Sequence, residues 1–151
     1  MNGNQWRVLA GALIISSIWS VLPAVAQTQQ QVDWCVNQGN VFSLDQVIDG
    51  CTASIQSGKW SGESLSWAYY NRGNAYDDKG DVDRAIADYT EAIRLDPKFA
   101  DAYNNRGLSW ESKGDLQKAL VDFTKFSELA PSDADGPKAI ERVRKAMAAS
   151  K

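Results

Sequence analysis

The chain has 151 residues, with 16 Lys and Arg, 19 Asp and Glu, two Cys and no His, and 44% of it is apolar, which suits one ordinary globular unit. Without imidazole there is no Ser-His or Cys-His nucleophile and no His-ligated metal, and two Cys cannot close a four-ligand zinc site on their own. A net charge of -3 lacks the basic footprint of a nucleic-acid binder, so DNA and RNA are excluded as partners.

Residues 1–26 comprise a short start carrying Arg7, an apolar run from Val8 to Leu22, and Pro23-Ala24-Val25-Ala26. A positive start, an apolar stretch of about 15 residues and Ala-x-Ala before Gln27 fit a secretory signal peptide; a spanning helix needs about 20 apolar residues. The expectation is an exported protein, periplasmic or extracellular, that starts at Gln27 and keeps no stable membrane anchor. Its charge is uneven, because residues 137–151 hold Lys138, Arg142, Arg144, Lys145 and Lys151 against Glu141 alone. The tail is basic and the body acidic.

In residues 27–65, Ser43 and Gln46 form a capping box before a helix expected from about Leu44 to Ser57. Export into an oxidising compartment favours a disulfide between Cys35 and Cys51, closing a loop of about 17 residues worth about 3 kcal/mol by chain entropy. The alternatives are two inert buried thiols, or redox or metal chemistry, which the wide spacing disfavours.

From residue 66 the chain repeats itself. Tyr69-Tyr70-Asn71-Arg72-Gly73 recurs as Tyr103-Asn104-Asn105-Arg106-Gly107, Lys79-Gly80-Asp81 as Lys113-Gly114-Asp115, and Leu95-Asp96-Pro97 as Leu129-Ala130-Pro131, each at an offset of 34 residues. Apolar residues follow a helical stripe in each unit: Val82, Ala85, Ile86, Tyr89 and Ile93, then Leu116, Ala119, Leu120 and Phe123. Each unit therefore reads as two helices, with Gly80 and Gly114 ending the first, Asp81 and Asp115 capping the second, and a proline closing the unit. Arg72 and Arg106 are each followed 16 residues later by an Asp, Asp88 and Asp122, which predicts an ion pair within each unit; if the arginines face solvent the pairing means little. Residues 134–151 come last, with Ile140, Val143 and Met147 on one face of a helix that would cap the stack.

These units resemble the tetratricopeptide repeat, whose pattern is met by Tyr69, Gly73, Tyr76, Ala85, Tyr89, Ala92 and Pro97, and again by Tyr103, Gly107, Trp110, Ala119, Phe123 and Pro131. Phe126 stands where the family has Ala, which implies looser or altered packing against the next helix. Counting back 34 residues gives a degenerate repeat over 33–60, with Gly39 at the family's position 8, Cys51 at position 20 and Ile55 at position 24. The stretch from Asp45 through Ile48, Cys51, Thr52 and Ile55 to Gly58 also looks like a leader segment of secreted bacterial proteins of this family. The implied fold is an all-α short helical solenoid: residues 1–26 a signal peptide, 27–65 a disulfide-tethered degenerate repeat, 66–99 and 100–133 two repeats, and 134–151 a C-terminal capping helix.

The resemblance also implies a non-catalytic adaptor or scaffold, without cofactor or metal, that binds a protein or peptide on the face lined by the first helix of each unit. It assigns that groove to Trp67, Tyr70, Asn74, Asp77 and Asp78, then Asp101, Asn104, Leu108 and Glu111. With no Lys or Arg among them, neutral or basic segments are expected as ligands. The bland alternative is that these groups merely meet water. The two-carboxylate clamp of some relatives is incomplete: Asn74 and Asn105 occupy its Asn positions, but Tyr70, Asp135 and Ala139 stand where cations are needed. Paired carboxylates such as Asp77 and Asp78 sit in an expected turn without the glycine-centred spacing of a calcium loop, so catalysis and calcium are not expected. The alternative function is a structural module that self-associates end to end through Phe126 and the capping helix.

Overall fold

A computed structural model describes residues 24–36 and 42–150. The expected signal segment lies outside the described residues except for Ala24–Ala26, which open the first helix. Among the described residues there are seven helices and no strands: α1 Ala24–Val36, α2 Leu44–Gln56, α3 Gly62–Asp78, α4 Val82–Leu95, α5 Ala100–Ser112, α6 Leu116–Leu129 and α7 Asp135–Ala149. They form three hairpins, α1 with α2, α3 with α4 and α5 with α6, and each hairpin's second helix packs on the first helix of the next, ending with α6 on α7. The architecture is the expected all-α solenoid.

Local signals set the helix ends. Asp81 and Asp115 cap α4 and α6 by accepting from the backbone N–H of Arg84 and Lys118, at 3.3 and 3.2 Å. Gly80 and Gly114 take the left-handed conformation, φ 80° and 79°, and let the N–H of Asp81 and Asp115 reach back to the Tyr76 and Trp110 carbonyls.

Packing within a hairpin turns on one small-to-large contact. A Cβ built on Gly73 would lie 2.8 Å from the Tyr89 ring and one on Gly107 2.9 Å from the Phe123 ring, and both rings are buried. Cys35 and Cys51 have the same 16-residue separation and form a disulfide with Cα atoms 4.5 Å apart, so a covalent bond replaces the glycine–ring contact in the first hairpin.

This corrects the register of the N-terminal unit. The helix α2 aligns with α4 at an offset of 38 residues: Ser43 and Asp81 are the N-caps, Asp45 and Asp83 bond Lys79 and Lys113, and Thr52 and Thr90 accept from Arg72 and Arg106. Cys35 and Cys51 therefore stand at positions 8 and 24, which displaces Cys51 and Ile55 from the expected positions 20 and 24; Gly39, expected at position 8, lies outside the described residues. The four extra residues form an added first turn of α3, which starts at Gly62 and has 17 residues against 13 in α5.

The expected ion pairs tie each repeat together. Arg72 and Arg106 each donate from Nε and Nη2 to both oxygens of Asp88 and Asp122, at 2.8 Å throughout. Both carboxylates are buried.

The Phe126 departure is matched across the next junction. Ala92 meets Ala102 between α4 and α5, whereas Phe126, 4% exposed, meets Gly136 of α7, where an added Cβ would approach the ring to 3.3 Å. Packing there is tight rather than loose, and the ring expected to mediate self-association is covered by the chain's own α7. Val143 and Ala139 complete the cap against Ala119 and Phe123.

Candidate functional site

The first helices α1, α3 and α5 lie side by side, and their exposed positions, with those of α7, make one face. Trp67 is 52% exposed, with its ring 4.8 Å from Phe99 and edge-on to Tyr70. Leu108 is 43% exposed on α5. Asp78 and Asp101 are exposed, Asn104 is half-buried, and neither carboxylate has a cation partner among the described residues.

Four other expected groove residues are engaged within the fold. Asn74 Oδ1 accepts from the Tyr89 hydroxyl at 2.8 Å and from Asn105 Nδ2 at 2.9 Å; the same Asn105 amide reaches the Tyr70 hydroxyl at 3.2 Å, and Ser109 Oγ donates to Asp77 at 3.1 Å. These bonds lock α3 to α5. Burial raises the Tyr70 hydroxyl pKa, and the Asp101 charge adds to it. The Tyr89 hydroxyl is raised much further, by burial first and then by the Asp77 charge, so both phenols stay protonated. Glu111 takes both its oxygens to Arg142 of α7, at 2.8 and 2.7 Å, and this bond holds its carboxyl below the usual glutamate range. Glu111 is therefore a tie to the cap rather than a free groove carboxylate.

The carboxylate clamp is likewise closed. Asn74 and Asn105 bond each other, Asp135 pairs with Lys138, and Ala139 is buried. No cluster of metal-binding side chains and no helix long and apolar enough to cross a membrane occurs among the described residues.

Residues that the 34-residue count missed complete the face at its N-terminal end. With Cys35 at position 8, Val32 and Val36 take the positions held by Tyr70 and Asn74 in the next unit. Together with Trp60 and Trp67 they wall a cavity of about 240 Å³ between α1 and α3, floored by Ser54 and Ala68. A usable signal was present: the 16-residue separation of the two Cys equals the spacing of Gly73 to Tyr89.

The chain is thus a tetratricopeptide-type solenoid with an added N-terminal hairpin. Residues 73–114 match the family model described as TPR repeat and residues 100–133 the one described as tetratricopeptide repeat, so tetratricopeptide repeats run through this part of the chain. Comparison with curated protein sequences gives no match. Among solved structures, the Arabidopsis OM64 TPR domain is 22% identical with a TM-score of 0.68, covering 80% of this chain and 96% of its own. The second TPR domain of human RPAP3, solved in complex with the HSP70 peptide SGPTIEEVD, is 23% identical with a TM-score of 0.65, covering 78% of this chain and 98% of its own. MamA is 20% identical with a TM-score of 0.73, covering 83% of this chain and 71% of its own. At these identities the likeness establishes the fold.

Proposed function

We propose that this protein is a non-catalytic binding module, an adaptor or scaffold, that holds a segment of another protein along the face of α1, α3, α5 and α7 in the periplasm or cell envelope. The observation that carries the reading is the exposure of two large apolar side chains, Trp67 at 52% and Leu108 at 43%, on adjacent first helices of a rigidly locked face. Exposed apolar groups on a preformed surface supply binding area without an ordering cost. Similar folds solved with bound peptides, such as the human RPAP3 domain with its HSP70 peptide, support protein segments as the partner class. The closed clamp argues against carrying over that ligand's acidic end. Export is supported by the sequence of residues 1–26 and by the buried disulfide. The self-association reading has no observation in its favour, since α7 covers Phe126 and Glu141 occupies the small position that a further hairpin would need.

The test is affinity capture from envelope extract with wild type and with Trp67→Ala/Leu108→Ala. A partner retained by wild type and lost by the variant is expected. Equal retention by both, with the variant folded, contradicts the reading.

A further inference from the structure

We propose that the junction of α1, α2 and α3 is a two-part socket for one protein segment, with an aromatic or large aliphatic side chain in its apolar half and a Lys or Arg four to five residues away at Asp78. This rests on the binding face argued above and names the chemistry of what it takes.

The socket arises from a difference between equivalent junctions. Between α3 and α5 the space over Ala92 and Ala102 is filled by the rings of Tyr70 and Phe99, 4.7 Å apart. One junction earlier, Ser54 and Ala68 replace the two alanines and Val32 replaces Tyr70. The shorter side chain leaves a cavity of about 240 Å³. That lies below the roughly 300–1,000 Å³ of small-molecule sites and matches one large side chain.

Two polar groups there have unused bonding capacity. Ser54 lines the cavity at 7% exposure, and its Oγ is the buried side-chain polar atom without a hydrogen-bond partner among the described residues. Such an atom is costly to leave unpaired. Asn71 holds the position of Asn105, which bonds Asn74 and Tyr70; here Val36 stands in Asn74's place, and Asn71 has no partner among the described residues.

A second cavity of about 200 Å³ shares Cys35, Val36 and Asn71 with the first and runs on to Asn74 and Asp78. The next acids along the chain are ion-paired, Asp81 with Arg84, Asp83 with Lys113 and Asp88 with Arg72, whereas Asp78, like Asp101 further along the face, has no cation partner among the described residues. Asp78 lines this second cavity, so an unpaired negative charge stands at the polar end of the socket. From Ala68 to Asp78 is about 15 Å of helix at 1.5 Å per residue, or four to five residues of extended chain at about 3.3 Å each.

The test selects phage-displayed random peptides against the full chain with its disulfide intact. Enriched peptides are then titrated against wild type, Ser64→Trp, Asp78→Lys and the opposite-face control Val121→Asp, each checked for helicity. Ser64 is exposed on the cavity rim, so its replacement fills the space without entering the core. Trp60→Ala, which removes a wall, serves if Ser64→Trp unfolds. Expected are peptides carrying a large apolar residue with Lys or Arg four to five positions away. Ser64→Trp should weaken them about tenfold or more, Asp78→Lys about tenfold with a flatter salt dependence, and Val121→Asp within about twofold. Acidic peptides, or peptides insensitive to both socket variants but weakened by Leu108→Ala, overturn the socket and leave the binding face standing. No enrichment at all counts against both. A free-protein dimer that Ser64→Trp dissociates makes a second copy the occupant and also overturns the proposal.

Discussion

Replacing Arg106 by Met isolates the Asp122 carboxylate, whose side chain is 4% exposed against 18% for Arg106. The guanidinium supplies both oxygens of Asp122 at 2.8 Å and also donates to Thr90 at 3.1 Å, so the substitution removes the partner of a buried charge and a bond between repeats. Breaking a buried pair in this way costs about 3–5 kcal/mol. The partly wet guanidinium edge and the apolar packing of Met put the expected loss near the lower end, about 3 kcal/mol. With a urea dependence of about 2 kcal/mol per molar, the unfolding midpoint falls by about 1.5 M, read by far-UV circular dichroism on the oxidised protein. Replacing both members, Arg106→Met with Asp122→Leu, should return stability to within about 1 kcal/mol of wild type, because no buried charge is left alone. The single Asp122→Leu leaves a guanidinium that can reach water and should cost less than Arg106→Met. A loss below about 1 kcal/mol for Arg106→Met, or a double variant as weak as that single, would refute the buried-pair argument.

Gly107→Ala should destabilise by about 1 kcal/mol in thermal melts: Ala is favoured in a helix by about that amount, but a Cβ 2.9 Å from the buried Phe123 ring overpacks the hairpin by about 1–3 kcal/mol; a stabilised variant contradicts this. Reduction, or Cys35→Ser with Cys51→Ser, should cost about 3 kcal/mol and speed hydrogen exchange in α1 and α2 while α5 and α6 keep their protection; a uniform loss contradicts the local character of the tie. Glu111 has a folded pKa below its ordinary 4.5, so its bond to Arg142 contributes stability above that pH and loses it as pH falls through the lowered value; Glu111→Gln should abolish that acid-side loss, and an unchanged pH profile contradicts it. If the protein is exported as proposed, its intact mass should correspond to a chain that begins at Gln27, and a mass retaining residues 1–26 contradicts the signal-peptide reading.

Sequence periodicity made the two central hairpins legible because each of their contacts recurs: Gly73 with Tyr89 as Gly107 with Phe123, and Arg72 with Asp88 as Arg106 with Asp122. The N-terminal hairpin was harder to place, since an extra turn of α3 shifted the count by four and a disulfide hid the small-to-large contact that marks the register. That shift concealed Val32 and Val36 as surface positions and with them the cavity. Site residues were only partly legible for a different reason. A repeat position states which helix face a side chain occupies but not what it bonds, so Asn74, Asp77 and Tyr70 read as open when Asn105 and Ser109 occupy them. Glu111 became a structural tie because the basic α7 folded back on it. The Phe126 departure could be interpreted only beside Gly136, ten residues later in sequence, where the lost volume is returned.

Binding along the first-helix face is tested most directly by placing a photo-crosslinking amino acid at Leu108 or Trp67, and separately at Val121 on the opposite side, in the native cell. All three side chains are exposed, at 43%, 52% and 64%, so accessibility does not favour the face positions. A discrete protein adduct is expected from positions 108 and 67 and none from 121. Adducts from 121 alone, or none from any position in correctly folded protein, would contradict binding on this face.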